Sequence, residues 1–178
     1  MTQKEMQSEL SRMAGEVIED HPELESLVLI GIRRRGVPLA QRLQKKIKQL
    51  SNKQLNLGIL DITFYRDDLS LVDVQPIVEG SQLDFDVNDK DVLLIDDVLY
   101  TGRTTRAALD SILDYGRPRR IELSVLIDRG CRELPIQADY VGKYMETSRD
   151  EVVEVRLSSI DNEERVVLTT RALVEKGR

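Results

Sequence analysis

Two adjacent carboxylates, Asp96 and Asp97, directly follow an unbroken apolar run in the segment VLLIDDVLYTGRT, residues 92–104. A run of this kind predicts a strand that is buried on both faces of a parallel sheet. Two neighbouring carboxylates cost too much inside a hydrophobic core. We therefore expect both to lie at the carboxyl edge of the sheet, in water or facing a ligand.

The turn that follows these carboxylates has the composition of an anion site. Gly102 permits a tight turn and a close approach of the backbone to a ligand. The amphipathic helix after it presents unpaired N–H groups and the positive pole of the helix dipole at its amino end. Further donors come from the side chains of Thr101, Arg103, Thr104 and Thr105. A phosphate site beside two carboxylates predicts a ribose 5-phosphate as the ligand.

This pattern also has less specific interpretations. A strand followed by two aspartates and a loop occurs in generic α/β turns, and in receiver domains whose acidic pair binds a metal. The complete string DDVLYTGRT, residues 96–104, is more specific than either. It resembles the phosphoribosyl-diphosphate (PRPP) motif of type I phosphoribosyltransferases. It is most similar to the motif of the pyrimidine-operon attenuator family, PyrR, whose members are also uracil phosphoribosyltransferases.

A second anion site is predicted after the apolar strand LVLIGI, where a basic turn leads into another amphipathic helix. Its position at the carboxyl end of a strand favours ligand binding over a solvated basic turn. By resemblance it is the loop that binds the diphosphate. We expect an unusual backbone there, such as a non-proline cis bond, and a close backbone approach at its glycine. Its residues are Arg33, Arg34, Arg35 and Gly36.

A third strand, residues 55–63, leads into the sequence Tyr65-Arg66-Asp67-Asp68 and a polar stretch that reaches about Lys90. A connection this long without periodicity is uncommon inside a compact domain. From the residues alone, an ordinary surface hairpin is the favoured interpretation. The resemblance instead implies a flexible catalytic loop, about residues 65–90. Such a loop would close over PRPP, bring Arg66 onto the diphosphate and exclude water.

The fourth apolar strand, residues 121–127, completes an alternation of strands and helices. This alternation predicts an α/β fold with a central, mostly parallel sheet flanked by helices. By resemblance it is the type I phosphoribosyltransferase fold. The segment CRELPIQADYVGKYM resembles part of a small hood, about residues 130–160, that receives the nucleobase. The nucleobase contacts implied are Asp128, Arg129, Val141 and Lys143.

The reaction implied by the resemblance converts uracil and PRPP to UMP and diphosphate. The bond from ribose C1 to the diphosphate breaks early and leaves a sugar with oxocarbenium character. Catalysis would depend on Asp96, Asp97 and Arg66. Mg²⁺ is implied as the cofactor, held mainly by PRPP oxygens and water rather than by a dedicated protein site. The PRPP motif comprises Asp96, Asp97, Val98, Leu99, Tyr100, Thr101, Gly102, Arg103, Thr104 and Thr105.

Family members also bind a messenger-RNA leader, and promote transcription attenuation when uridine nucleotides such as UMP and UTP are abundant. Here the chain departs from the family pattern. The regulators' HRELPIR becomes CRELPIQ, with Cys131 and Gln137, and Gly15 and Asp20 replace a His and an Arg of the first helix. Two candidate RNA-binding cations remain, Arg12 and Arg132. We predict an intact transferase with weak or altered RNA binding.

Two alternative functions remain open from the sequence. The chain could be a non-catalytic, UMP-sensing RNA-binding attenuator, or a phosphoribosyltransferase for another nucleobase such as hypoxanthine or guanine. The intact DDVLYTGRT, RRRG and YRDD strings favour catalysis over sensing alone. The segment CRELPIQADYVGKYM favours a pyrimidine without specifying it.

Length and composition limit the remaining possibilities. The 178 residues predict one domain, residues 1–178, and the net charge of −6 disfavours broad nucleic-acid affinity. No apolar run is long enough to span a membrane. A single cysteine and a polar amino terminus predict a cytoplasmic protein. A homodimer or homotetramer is expected by family analogy.

Overall fold

The computed structural model describes residues 1–65 and 80–170. Their main feature is a five-stranded sheet with the strand order β2-β1-β3-β4-β5. All four strand pairings are parallel, which confirms the predicted α/β architecture. The strands are β1 (Leu27–Ile32), β2 (Asn56–Leu60), β3 (Asp91–Leu99), β4 (Arg120–Asp128) and β5 (Tyr140–Tyr144).

Three helices cover the two faces of this sheet: α1 (Gln3–Asp20), α2 (Gly36–Ser51) and α3 (Arg103–Tyr115). Successive side chains of a strand point to opposite faces, so β1 and β3 each contribute to two separate hydrophobic clusters. Leu29 and Leu93 pack with α1 and α2. Val28 and Val92 pack with α3 on the other face. Burial on both faces explains the unbroken apolar runs in the sequence.

A separate antiparallel hairpin consists of β6 (Glu151–Arg156) and β7 (Arg165–Thr170), joined through the short helix α4 (Ser158–Asp161). The predicted hood, about residues 130–160, is therefore divided. Its β5 is an edge strand of the main sheet. The side chains of Tyr140 and Val141 pack into the hydrophobic clusters on the two faces of that sheet. Only β6 and α4 of that range belong to the hairpin.

Residues 66–79, which include Arg66 and most of the predicted flexible loop, lie outside the described residues. The described flanks pair with each other: Ile59 and Gln82 form an antiparallel bridge, and the Asp61 N–H donates to Ser81 Oγ. Among the described residues, no helix is long and apolar enough to cross a membrane.

His21, to which the sequence assigns no role, is buried at the amino edge of the sheet. Its Nε2 lies 2.7 Å from Glu122 Oε2, and its Nδ1 lies 3.7 Å from Asp91 Oδ2. Asp91 is 2% exposed and accepts hydrogen bonds of 2.8 and 2.6 Å from the Arg119 guanidinium. These polar contacts join the end of α1 to the first residues of β3 and β4.

Replacing Asp91 with asparagine should lower the free energy of unfolding by about 2 kcal/mol at neutral pH, because a charge-assisted hydrogen-bond pair is lost. Hydrogen bonds from Arg119 lower the pKa of Asp91. Its stabilising contribution is therefore complete above the unfolded-state pKa and is lost as the pH falls through the folded-state pKa. Urea unfolding at pH 7 and below about pH 4 should show the difference between variant and parent shrinking. The control D110N changes a half-exposed surface pair with Arg106, and a loss as large as that of D91N would contradict this account.

Candidate active site

Neighbouring strands bring the two predicted anion sites to one edge of the sheet. β1 and β3 pair in parallel with Gly31 opposite Ile95, so the arginine loop (residues 33–36) and the carboxylates leave the sheet side by side. The Arg33–Arg34 peptide bond is cis, which confirms the predicted unusual backbone. A Cβ atom added to Gly36 would lie 2.3 Å from the carbonyl oxygen of Ile95. The close backbone approach predicted at this glycine is thus confirmed, with β3 as the partner.

The side chains of the arginine loop have different surroundings. Arg33 is half-buried and Arg34 is exposed. Arg35 directly precedes the first residue of α2, and its Nη2 lies 2.6 Å from Asp161 Oδ1 in α4. The Arg35 side chain makes no capping hydrogen bond to α2, and the first turn of α2 contains no acidic residue. A helix amino end of this kind, with an arginine beside it, favours an anion.

The two carboxylates differ in exposure. Asp97 is half-buried, whereas Asp96 is only 8% exposed. Asp96 is therefore not in water, the first of the two expected surroundings, and its contact with a ligand stays a prediction. The reason is that β3 continues to Leu99, so consecutive side chains alternate between the faces of the sheet. The Asp97 N–H donates to Asp96 Oδ1 at 2.9 Å, which offsets part of the cost of burial.

Opposing effects act on the Asp97 carboxyl group. Burial raises the pKa of Asp97 overall, while the positive charge of Arg35 and a hydrogen bond with Asp96 act in the lowering direction. The Val98 N–H also donates to Asp97 Oδ1 at 2.9 Å. The carboxylate is thus held in a fixed orientation beside a cation, as a group that stabilises charge in a substrate must be.

The phosphate turn, residues 101–105, forms a cavity of about 320 Å³ together with residues 98–100 and Glu133. Gly102 has φ 92°, in the left-handed region that glycine adopts without strain, and it immediately precedes α3. Gly102 itself provides no side-chain cap, but Thr101 Oγ1 accepts the N–H of Arg103, the first residue of α3, at 3.3 Å. The Thr101 carbonyl oxygen accepts the N–H groups of Glu133 and Leu134 at 3.0 and 3.1 Å. The turn thus combines a left-handed glycine with a helix amino end beside the cavity, and its binding of a phosphate stays a prediction.

A second cavity, of about 470 Å³, is lined by Arg35, Asp97, Asp161 and residues of β6. It brings the arginine loop and one predicted carboxylate together. Asp97 lines this second cavity, whereas the next residue, Val98, lines the first cavity together with the phosphate turn. The two halves of the predicted sugar-phosphate site thus lie next to each other along β3 and are not one enclosed pocket. A ligand that occupies both would extend along the carboxyl end of this strand.

The four predicted nucleobase residues line neither of these two cavities. Asp128 is buried and pairs with Arg132, and the Arg129 guanidinium lies 3.9 Å from the centre of the Tyr100 ring. Val141 packs in the core, and Lys143 is exposed on β5. Their role at the nucleobase stays a prediction. The contacts of Asp128 and Arg129 show that both also hold the loops after β3 and β4.

The two predicted RNA-binding arginines have partners within the chain. Arg12 pairs with Glu9 and Glu16 and donates to the carbonyl oxygens of Val141 and Gly142. The Arg132 guanidinium donates to carbonyl oxygens of the loops around it, namely those of Leu99, Tyr100, Gly130 and Ile136. Both arginines thus connect segments of this fold, and their contact with RNA stays a prediction.

Sequence reasoning missed two participants at this edge. Asp161 holds Arg35, and Glu133 lines the phosphate cavity and pairs with Arg103 at 2.8 Å. Asp161 gave no signal, since it lies in a polar stretch far along the chain from the arginine loop. Glu133 lies in the segment CRELPIQ, which was considered for nucleobase and RNA contacts rather than for phosphate binding.

Parallel strands that end in a phosphate turn, two aspartates and an arginine loop define a phosphoribosyltransferase, and a family model for the phosphoribosyl transferase domain matches residues 2–159. Curated relatives narrow the class. The bifunctional protein PyrR of Clostridioides difficile (strain 630) is 54% identical over 94% of this chain and 95% of its own length. That of Pelotomaculum thermopropionicum is 58% identical over 92% and 90%, respectively. The chain belongs to the PyrR family.

Solved structures agree on the fold. A hypoxanthine phosphoribosyltransferase from Staphylococcus aureus has a TM-score of 0.70 at 24% identity and covers 97% of this chain and 92% of its own. The hypoxanthine phosphoribosyltransferase from Trypanosoma cruzi in complex with the product IMP has a TM-score of 0.73 at 17% identity, covering 99% and 92%. At these identities the likeness concerns the fold and not the nucleobase.

Proposed function

We propose that this chain is a uracil phosphoribosyltransferase of the PyrR type, which converts uracil and PRPP to UMP and diphosphate. The observation that carries the proposal is the placement of Arg35 and Asp97 in one cavity, directly beside the phosphate turn. A sugar that carries a phosphate at one end and a diphosphate at the other matches a carboxylate between two anion sites. PRPP is such a sugar.

The residues at this edge have distinct roles in the proposed reaction. The amino end of α3 and the threonines of the phosphate turn bind the 5-phosphate. As the bond from C1 to the diphosphate breaks, Asp97 stabilises the positive charge that develops on the sugar, and Arg35 stabilises the negative charge on the leaving group. Asp96 orients Asp97 through the backbone hydrogen bond between them. Holding uracil in line with C1 accounts for the rest of the catalysis.

Mg²⁺ is part of this proposal. Among residues 1–65 and 80–170, no three His, Cys, Asp or Glu side chains are grouped to hold a metal ion. The chemistry of the site nevertheless fits this ion, since Mg²⁺ is commonly held by one or two carboxylates, substrate phosphates and water. Asp97 is the cavity carboxylate suited to hold it. When bound, the ion neutralises charge on the diphosphate.

Several further features are proposed by family analogy alone. Arg66, outside the described residues, is proposed to reach the diphosphate when the loop of about residues 65–90 closes. The nucleobase is proposed to lie near Asp128, Arg129, Val141 and Lys143. A cytoplasmic homodimer or homotetramer is the proposed form of the protein.

The test is an assay of diphosphate release with PRPP, Mg²⁺ and one nucleobase at a time. We expect turnover with uracil and none with hypoxanthine or guanine. Turnover with a purine alone would show that the substrate is that purine and not uracil. Tight UMP binding without any turnover would favour a sensor that has lost catalysis, and would overturn the enzymatic proposal.

We also infer that binding to a messenger-RNA leader is weak or altered in this chain. Cys131 and Gln137 are exposed, but they lack the imidazole and the guanidinium of the regulators' HRELPIR. Asp20, in place of an arginine, accepts a hydrogen bond from the Tyr140 hydroxyl at 3.1 Å. The guanidinium groups of Arg12 and Arg132 already have partners within the chain. The residues named for RNA contact therefore offer less positive charge for phosphate contacts, which provide most of the affinity for RNA.

Filter binding of leader RNA with UMP, at physiological salt, tests this inference. The double variant C131H/Q137R restores the two groups, and it should bind the leader more tightly than the parent chain does. The fold should accept it, because Cys131 has φ 56°, a left-handed conformation that histidine adopts more often than most residues other than glycine. Tight, leader-specific binding by the parent chain would contradict the inference.

A further inference from the structure

The salt bridge between Arg35 and Asp161 joins the arginine loop to the hairpin at the far end of the chain. Arg35 Nη2 lies 2.6 Å from Asp161 Oδ1, and Arg35 Nε lies 3.3 Å from Asp161 Oδ2. The carboxylate therefore meets the guanidinium at two of its nitrogens. Two-point contacts of this kind fix the plane of the arginine as well as its position.

Asp161 is itself held in place. Its Oδ2 accepts the Leu157 N–H at 2.9 Å, and Leu157 is fully buried in the core. The Asp161 side chain is 19% exposed, against 35% for that of Arg35. Arg35 is thus held by Asp161, which the fold itself fixes in place, while part of the Arg35 guanidinium still faces the cavity.

Arg35 acts on the reactive edge from this position. It lines the same cavity as Asp97. An arginine with a flexible stem would lose side-chain entropy on binding an anion. An arginine already held by a carboxylate has lost that entropy in the free protein, so binding costs less.

We propose that Asp161 is a positioning residue of the active site, which holds the Arg35 guanidinium toward the cavity where the diphosphate of PRPP binds. The proposal rests on the proposed function for the identity of the anion. Asp161 touches neither the substrate nor the reacting atoms. It acts through Arg35, so its loss should weaken PRPP and diphosphate binding and leave uracil binding unchanged.

The variant Asp161→Asn tests this directly. Its amide oxygen can still accept the Leu157 N–H, while the negative charge beside Arg35 is removed. We expect the KM for PRPP and the inhibition constant of Mg-diphosphate to rise about tenfold, with the KM for uracil unchanged. Asp161→Glu keeps the charge and should recover part of the loss. An unchanged KM for PRPP in a folded D161N would overturn the proposal.

The chain offers a matched control in Glu163. Its side chain lines the same cavity and belongs to the same hairpin unit, but it pairs with Arg156 and Arg165 instead of Arg35. Glu163→Gln removes a negative charge from the cavity without touching Arg35, so it should raise the KM for PRPP less than D161N does. A rise in the KM for PRPP equal to that of D161N would show a general effect of negative charge in the cavity, and would contradict a specific role for Asp161.

A double-mutant cycle separates positioning from folding. Arg35→Gln leaves Asp161 and its bond to Leu157 in place, and we expect the same selective rise in the KM for PRPP. Adding D161N to R35Q should then have little further effect, because the pair acts as a unit. If D161N fails to fold while R35Q folds, Asp161 serves the hairpin rather than Arg35, and the proposal is overturned.

Direct binding distinguishes this proposal from the proposed function. Calorimetric titration of the full chain with Mg-diphosphate requires no turnover. If the parent chain binds diphosphate but has no activity with uracil, the proposed function fails while the comparison of D161N with E163Q still decides the role of Asp161. Equal diphosphate affinities for D161N, E163Q and the parent would refute positioning, even in an active enzyme.

Discussion

Replacing Gly36 with alanine should reduce kcat/KM for PRPP by about a hundredfold or more, the effect of moving a catalytic group by roughly 1 Å. The new Cβ atom would lie 2.3 Å from the Ile95 carbonyl oxygen and 3.3 Å from the Asp96 Cα atom. Neither is the end of a flexible side chain, so the arginine loop must move away from β3. That movement carries Arg35 away from Asp97. Diphosphate release with uracil and PRPP measures the loss, and thermal unfolding measures the accompanying strain.

The control for this substitution is Gly15→Ala in α1. A Cβ atom there would meet nothing within 4 Å. Because alanine favours the helix interior, the variant should be as active as the parent and more stable by about 0.5–1 kcal/mol. A G36A protein with parental activity would show that the loop can shift without consequence, and that its contact with β3 does not position the site.

Replacing Asp97 with asparagine should lower kcat by about two to three orders of magnitude, because it removes a fixed charge beside the developing sugar cation. The amide oxygen can still accept the Val98 N–H, so the local backbone should be retained. Steady-state kinetics with uracil and saturating PRPP measure the effect. A kcat within a few-fold of that of the parent would exclude Asp97 as the stabilising charge.

The raised pKa of Asp97 predicts a second effect of D97N, which concerns the stability of the fold. Burial raises that pKa, so the ionised carboxylate destabilises the fold. The folded state is therefore favoured most below the unfolded-state pKa, and stability is lost as the pH rises through the folded-state pKa. D97N should remove this loss and be the more stable protein at neutral pH. Reduced activity together with increased stability would separate a catalytic role from unfolding, whereas a loss of both would contradict it.

Most of the fold could be predicted because local patterns determine it. The runs around Leu29 and Leu93 are apolar at every position, and only strands covered on both faces show this pattern. The place of β5 in the sheet could not be predicted, because five residues with polar flanks carry too little periodicity. The continuation of β3 past Asp96 was missed for a related reason: an aspartate pair is a poor strand signal. The pairing of the β3 backbone with β4 outweighs the low strand propensity of aspartate.

The candidate site could be predicted where it depends on consecutive residues. The close approach at Gly36, the cis peptide bond of the arginine loop and the tight turn at Gly102 before α3 all follow from local sequence and resemblance. Contacts between distant segments could not be predicted. Asp161 reaches Arg35 from α4, and His21 finds Asp91 and Glu122 on two separate strands. Such contacts depend on how the helices and the sheet pack, which the spacing of residues along the chain does not indicate.

The hydrogen bonds at Thr101 have a mechanical consequence. Its carbonyl oxygen accepts two N–H groups from the segment after β4, and the Arg132 guanidinium holds the neighbouring carbonyl of Tyr100. The segments 100–105 and 130–136 are therefore mechanically coupled through these hydrogen bonds. A torsional change at Gly102 would displace both segments together, so neither can relax without the other.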